Sequence, residues 1–347
     1  MAHECGCART YAPDSAAHAS TSASKCSPRR RSFRTGTHYD KSHNLLCILR
    51  GRKRVLLWPP SELPSLHLYP AIHSAHRQSQ VPLHRLEAVR ASVETGGVQG
   101  ATLPGAVGAY PLVDAPALLG SRGARRVDLG VGDLLYIPPY WAHAVYSPEP
   151  SIALAAFSTS WEQATWQRSG WLAAPLGRFA VGGVCSKARA AAMVAAALLH
   201  ACAAKILSQS PREFLAHLWA SRYAPLYGAL HEGAAAGMGA IADCLGTAAL
   251  RELPAHAPER DPALLRRLTA YAEAVASIVL EPDAAVGTSF EGRTFERAVA
   301  AELVADFTEE LFGWACGADG AWRLLRILAT TSEFDEVPGG LSLEMRL

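Results

Sequence analysis

The run His38-Tyr39-Asp40 sets an imidazole and a carboxylate two residues apart, and in an extended strand residues i and i+2 point to the same side. The two groups then converge on one point, where they could share a metal ion. Alone the pair carries little weight, because a chain of 347 residues with 13 histidines yields about 0.4 such pairs by chance. A second run changes the balance. In Gly132-Asp133-Leu134-Leu135-Tyr136-Ile137-Pro138-Pro139-Tyr140-Trp141-Ala142-His143 a tight turn starts a strand, a Pro-Pro corner ends it, and the next strand delivers His143. Two neutral imidazoles and one carboxylate on one face of a metal leave the opposite face open, the ligand set suited to non-haem Fe(II) oxygenases. Three open positions would take a bidentate 2-oxo acid and dioxygen.

The elements that must position these residues are legible as short apolar runs between Gly and Pro. Asn44 to Arg50, then Gly51, then Lys53 to Trp58 reads as a hairpin closed by Pro59 and Pro60. Arg125–Leu129, Asp133–Ile137, Ala142–Tyr146 and Ile152–Phe157 form a second group of strands, and this spacing predicts a β-sandwich or barrel over residues 33–160. Within it, residues 96–123 carry Gly or Pro every few positions and read as an insertion loop. Residues 1–32, rich in Ala, Ser, Cys and Arg and without periodicity, read as a disordered or transit-like segment. His3, Cys5, Cys7 and Cys26 lie there, but without a C-x2-C knuckle they are read as tail residues and not as a zinc site.

From residue 161 to 347 the pattern turns helical. Ser210, Pro211 and Glu213 supply an N-cap, a first-turn proline and a capping-box acid, and Asp261-Pro262 repeats the start signal. Leu264, Leu268, Tyr271, Val275 and Val279 then share one helical face, as do Phe295, Val299, Leu303, Phe307 and Leu311.

Composition bounds the function classes. Half the residues are hydrophobic and 18% charged, which suits a large globular core. Eight cysteines in this length do not make a disulfide scaffold, so a reducing, intracellular location is expected, cytoplasmic or nuclear, with organellar import allowed by the Arg/Ser-rich N-terminus. The apolar stretch Ala190–Ala204 reads as too short to span a bilayer. The net charge is +2, yet residues 1–37 hold six Lys/Arg against two acids. The slightly acidic remainder argues against a nucleic-acid partner.

Taken together, Thr35-Gly36-Thr37-His38-Tyr39-Asp40, Asn44-Leu45-Leu46, Gly51-Arg52-Lys53-Arg54, the stretch LLWPPSELPSLHLYP and Arg77-Gln78-Ser79-Gln80-Val81 resemble the JmjC and cupin-like Fe(II)/2-oxoglutarate dioxygenases, nearest their asparaginyl hydroxylase branch. The resemblance covers about residues 33–160. It implies an α+β chain: a double-stranded β-helix (cupin or jelly-roll) barrel followed by an α-helical C-terminal region. It implies that His38, Asp40 and His143 hold Fe(II), and that Lys53 pairs with the distal carboxylate of 2-oxoglutarate. Thr35 would donate a hydroxyl to that carboxylate, Asn44 would neighbour the metal-binding end of the cofactor, and Arg77 and Gln78 would contact a protein or peptide substrate. Read without the resemblance, Lys53 is a hairpin-turn lysine beside Arg50, Arg52 and Arg54, and Arg77 and Gln78 are a polar loop.

Three departures from the family pattern stand out. Family members carry a long segment ahead of the His-x-Asp strand that supplies barrel strands, and 37 residues stand there in this chain, so the barrel is expected to lack its first strands. Ala155-Ala156-Phe157-Ser158-Thr159 holds no asparagine where the family has one. The helical region is longer than the dimerising extension of the nearest relatives. The expected activity is hydroxylation of a protein side chain, and the alternative is a non-catalytic cupin-like binding or assembly module. The apolar helical stripes imply either a homodimer through the C-terminal helices or a bundle that buries them internally.

Overall fold

The computed structural model describes residues 22–23, 33–81, 125–167, 173–231, 241–246, 249, 251–282 and 295–331. The expected insertion at 96–123 and the cysteines of the N-terminal segment lie outside the described residues.

Nine strands build two facing antiparallel sheets among the described residues: β1 (Ser22–Ala23), β2 (Phe33–Arg34), β3 (His38–Tyr39), β4 (His43–Arg50), β5 (Lys53–Trp58), β6 (Arg125–Leu129), β7 (Leu134–Ile137), β8 (Ala142–Ser147) and β9 (Ile152–Ser158). One sheet has the order β1-β9-β4-β7. The other runs β2-β8-β5-β6, with β3 also on β8. Alternation along each strand turns Leu46, Ile48 and Ala153 of the first sheet toward Val55, Leu57 and Leu129 of the second, and these residues form the barrel's own core.

Two expectations are corrected here. β4 and β5 are not a hairpin: β4 pairs with β7 and β9, whereas β5 pairs with β6 and β8. The chain crosses between sheets at Gly51, whose φ of +71° suits glycine and where a Cβ would overlap the Pro150 carbonyl oxygen. Crossing lets the two apolar faces bury one another across the barrel, which pairing within one sheet would not. The segment 1–32 is also not wholly without regular structure, because Ser22 and Ala23 add an edge strand opposite Ala155 and Leu154.

The helical region comprises α1 (Trp161–Trp166), α2 (Gly177–Val181), α3 (Gly183–Cys202), α4 (Pro211–Leu218), α5 (Ala224–His231), α6 (Pro262–Leu280), α7 (Arg297–Cys316) and α8 (Ala318–Thr330). α4 starts as its sequence predicts: Ser210 Oγ accepts from Glu213 N–H, and the Glu213 carboxylate accepts from Ser210 N–H. Asp261 likewise caps α6.

Leu264, Leu268, Val275 and Val279 of α6 are buried, as are Val299, Leu303 and Leu311 of α7, with Tyr271 and Phe307 half-buried. Among the described residues the stripes therefore face the interior of the fold. α3 and the wide turn that follows it make one helix of 25 residues, Gly183–Leu207, long and apolar enough by composition to cross a bilayer, so the expected 15-residue limit is corrected. It is a core helix in this fold, carrying the buried Arg189, whose guanidinium pairs with Glu259 at 2.8 Å. Cys185 and Cys244 form a disulfide, a pairing the expectation of reduced cysteines did not foresee.

Barrel and helices share a second, larger core. Tyr39, Trp58, Leu66, Leu68 and Tyr140 from the barrel half pack in the same cluster as Leu198, Leu218, Leu268 and Leu303 from the helices. The larger core extends across residue 160, where the texture of the sequence changes.

Candidate metal centre

His38 enters the site because β3 pairs with β8 in a register that sets His38 directly opposite His143. Cross-strand partners share a face, so both imidazoles point into the barrel, with ring centroids 4.4 Å apart. Asp40 follows two residues after His38 on the same side. Its backbone is held by the Pro-Pro corner, where Tyr140 N–H donates to the Asp40 carbonyl at 2.7 Å. Tyr140 has a φ of +61°, so the corner that delivers His143 is a strained turn.

One ligand atom from each of His38, Asp40 and His143 lies within 4.8 Å of the other two. His143 Nε2 stands 3.7 Å from Asp40 Oδ2. The hydrogen bonds decide which nitrogens face inward: His38 Nδ1 lies 2.8 Å from the Gly36 carbonyl and His143 Nδ1 lies 3.1 Å from the Trp141 carbonyl. A carbonyl only accepts, so each Nδ1 carries the proton and each Nε2 presents a lone pair to the centre. Burial lowers the His143 pKa to about 4, the neighbouring His38 pushes the same way, and the Trp141 carbonyl and Asp40 oppose it only in part. His143 is thus neutral across the physiological range, the state in which an imidazole can ligate a metal. These residues fit a divalent ion with mixed N and O preference.

Asn44 stands beside this group. It is buried on β4, and its Nδ2 reaches Asp40 Oδ2 at 3.4 Å. Its Oδ1 is buried without a partner, an orphan acceptor next to the centre. Lys53 is not a hairpin-turn lysine. It points inward from β5 in the row of Val55 and Leu57, is 6% exposed, and donates to Ser147 Oγ at 2.9 Å. Leu57 lies opposite His143, so Lys53 lies on the same inner wall as the centre, farther along the strand.

Thr35 Oγ1 accepts from Val145 N–H at 2.9 Å, and its own proton reaches the Val145 carbonyl only at 3.5 Å. Arg77 and Gln78 line an open cavity of about 260 Å³ together with Thr35, His38, Asp40 and His76. Arg77 has a φ of +70° and a buried Nε without a partner, and its carbonyl accepts from Tyr39 N–H. Every residue the sequence nominated therefore lies at the centre, on its inner wall or at its rim.

Sequence reasoning missed the residues behind the centre. Tyr39 and Lys41, interleaved with the ligands, point into the helical region, where Arg222 gathers Glu302, Asp306 and Glu309. Only the alternation around His38 and Asp40 could have signalled that their neighbours face something structured.

Residues 18–160 match the cupin-like domain family. The chain is 34% identical over 121 residues to the lysine-specific demethylase JMJ31 of Arabidopsis thaliana, covering 35% of this chain and 18% of that protein. It is 30% identical over 118 residues to the Jumonji C domain-containing protein 5 of Drosophila melanogaster, covering 34% of this chain and 23% of that protein. It is 32% identical over 123 residues to the tRNA wybutosine-synthesizing protein 5 of Gallus gallus, covering 35% and 29%. The likeness thus spans less than a third of each relative. These names do not single out an asparaginyl hydroxylase branch. The described part of residues 18–160 has the antiparallel fold of a cupin-like domain and is similar in sequence to parts of JmjC proteins.

Proposed function

We propose that this chain is an Fe(II)- and 2-oxoglutarate-dependent dioxygenase that hydroxylates a protein side chain. The observation that carries the reading is the inward-facing pair of Nε2 lone pairs beside one carboxylate, at the edge of an open cavity. When bound, iron and 2-oxoglutarate supply the oxidation: one atom of dioxygen enters the substrate C–H bond as hydroxyl, and the other enters succinate as CO2 leaves.

The chain's own residues bind and orient. His38, Asp40 and His143 hold the metal on one face. Lys53, buried on the inner wall, provides the cation for the distal carboxylate of 2-oxoglutarate, and the loosely held Thr35 proton provides a donor. Asn44, whose Nδ2 lies 3.4 Å from Asp40 Oδ2, is the donor beside the metal-binding end. Arg77 and Gln78, at the cavity rim, meet the substrate chain, and the Arg77 guanidinium favours a segment bearing a carboxylate or several carbonyl acceptors.

Anaerobic titration with Fe(II) and then 2-oxoglutarate tests the reading. The expected result is the weak visible charge-transfer absorption of a 2-oxo acid chelated to iron, followed in air by succinate formation. Absence of the band would leave the chain as a cupin-like binding module. Peptide and tRNA pools offered in parallel separate protein from nucleic-acid substrates.

A further inference from the structure

β3 is two residues long and has β8 as its partner strand, joined through two residue pairs. So short a strand cannot fix its own direction. His38 of β3 and Asp40 just beyond it are the candidate ligands, and the alternate side chains Tyr39 and Lys41 are gripped from behind. Tyr39, 1% exposed, donates its hydroxyl to Glu302 Oε1 at 3.1 Å, and Lys41 Nζ reaches Asp306 Oδ2 at 3.0 Å. Both carboxylates stand on α7 one helical turn apart. Arg222 holds them in place, with its guanidinium 2.6 Å from Glu302, 3.1 Å from Asp306 and 2.7 Å from Glu309. Glu309 in turn accepts from the Ala71 N–H, and the Arg222 carbonyl accepts from Gln80 Nε2, so the cluster also holds the segment that contains the cavity rim.

A buried ionic cluster is a poor device for stability alone, since well-packed apolar residues of equal volume often serve as well or better. What it does well is fix one arrangement. Ligands must sit within roughly 0.5 Å of their productive places, and a two-residue strand held by β8 on one edge and by the Arg77–Gln78 loop on the other still leaves its side chains to be fixed. We propose that Glu302 and Asp306 are positioning residues of the metal centre, acting through Tyr39 and Lys41 to set the separation of His38 and Asp40. The proposal rests on reading His38, Asp40 and His143 as a metal centre.

The test uses the full chain, with Co(II) as the probe. Its absorption bands report ligand geometry and its titration reports affinity. Tyr39→Phe removes one hydroxyl from a packed ring, and Lys41→Met removes a partly exposed ammonium while Asp306 keeps Arg222. Each is expected to lower Co(II) affinity about 10-fold and to change the band shape, and Lys41→Arg to recover part of the loss. Glu259→Gln disrupts a buried ion pair of the same kind away from the site, and is expected to lower thermal stability while leaving Co(II) affinity and spectrum as in the parent. Parent-like affinity and spectrum in both Tyr39→Phe and Lys41→Met would overturn the positioning role. A parent chain that binds no Co(II) would overturn the metal centre itself, a separate outcome.

Discussion

His143 is 3% exposed, and Trp141 fixes its ring so that Nε2 faces Asp40. Replacing it with alanine removes one of the three proposed ligands and is expected to leave both sheets intact. Purified His143→Ala is expected to retain little or no iron where the parent retains it, and metal analysis of the two decides the point, with equal content removing His143 from the site. Lys53→Ala makes a different prediction, because a carboxylate that enters the barrel would find its cation gone. The cost is about 3 kcal/mol or more, so the 2-oxoglutarate concentration needed for half-maximal turnover should rise ~100-fold while iron content stays put. Lys53→Arg should recover only part of this, since a planar guanidinium does not occupy the place of an ammonium beside Ser147. The cluster of His38, Asp40 and His143 was legible at this scale because a His-x-Asp spacing in a strand states its geometry directly. Arg222, Glu302 and Asp306 were not, because residues brought together from separate helices leave no spacing to read.

Strands and helices show which local signals carry over into structure. Caps do: Ser210 and Asp261 start α4 and α6 as their types require. Pairing does not. Alternation in β4 and β5 shows which residues face inward, but it is the same whether the strands share a sheet or face each other. What reveals the crossing is Gly51, packed against Pro150 and Ser151. Gly51→Ala should cost about 3 kcal/mol through its left-handed φ and the overlap with Pro150, lowering Tm by ~5 °C or more in a thermal melt. A second prediction at this scale concerns α7. Burial pushes the Glu309 carboxyl up to about 7, against the pull of Arg222 and the Ala71 N–H. The folded chain then keeps a proton on Glu309 that the unfolded chain releases near pH 4.5, so this group removes stability as pH rises from 4.5 to 7. Glu309→Gln has no proton to lose there. Relative to the parent it should gain about 3 kcal/mol between pH 4.5 and pH 8 in urea unfolding, and a pH-independent difference would refute the assignment.

At the scale of the whole chain, the change of texture at residue 160 raises the question whether the barrel stands without its helices. The two cores argue that it does not. Leu46, Ile48, Val55 and Leu57 belong to the barrel interior, but Tyr39, Trp58, Leu66 and Tyr140, each 1% exposed or less, are covered only with the helices in place. Two of these flank the metal ligands directly, Tyr39 between His38 and Asp40 and Tyr140 donating its N–H to the Asp40 carbonyl. Removing the helices would uncover several large aromatic and aliphatic side chains at once, and would leave Tyr39 and Lys41 without their carboxylate partners. A chain ending at Ser160 is therefore expected to associate or precipitate in light scattering, to melt without a cooperative transition in circular dichroism, and to bind Co(II) far more weakly than the full chain. A monomeric 1–160 fragment with a sharp melt and parent-like Co(II) affinity would show that the barrel sets its own metal site. The helical region would then be an attachment, not the wall against which the ligand strand is held.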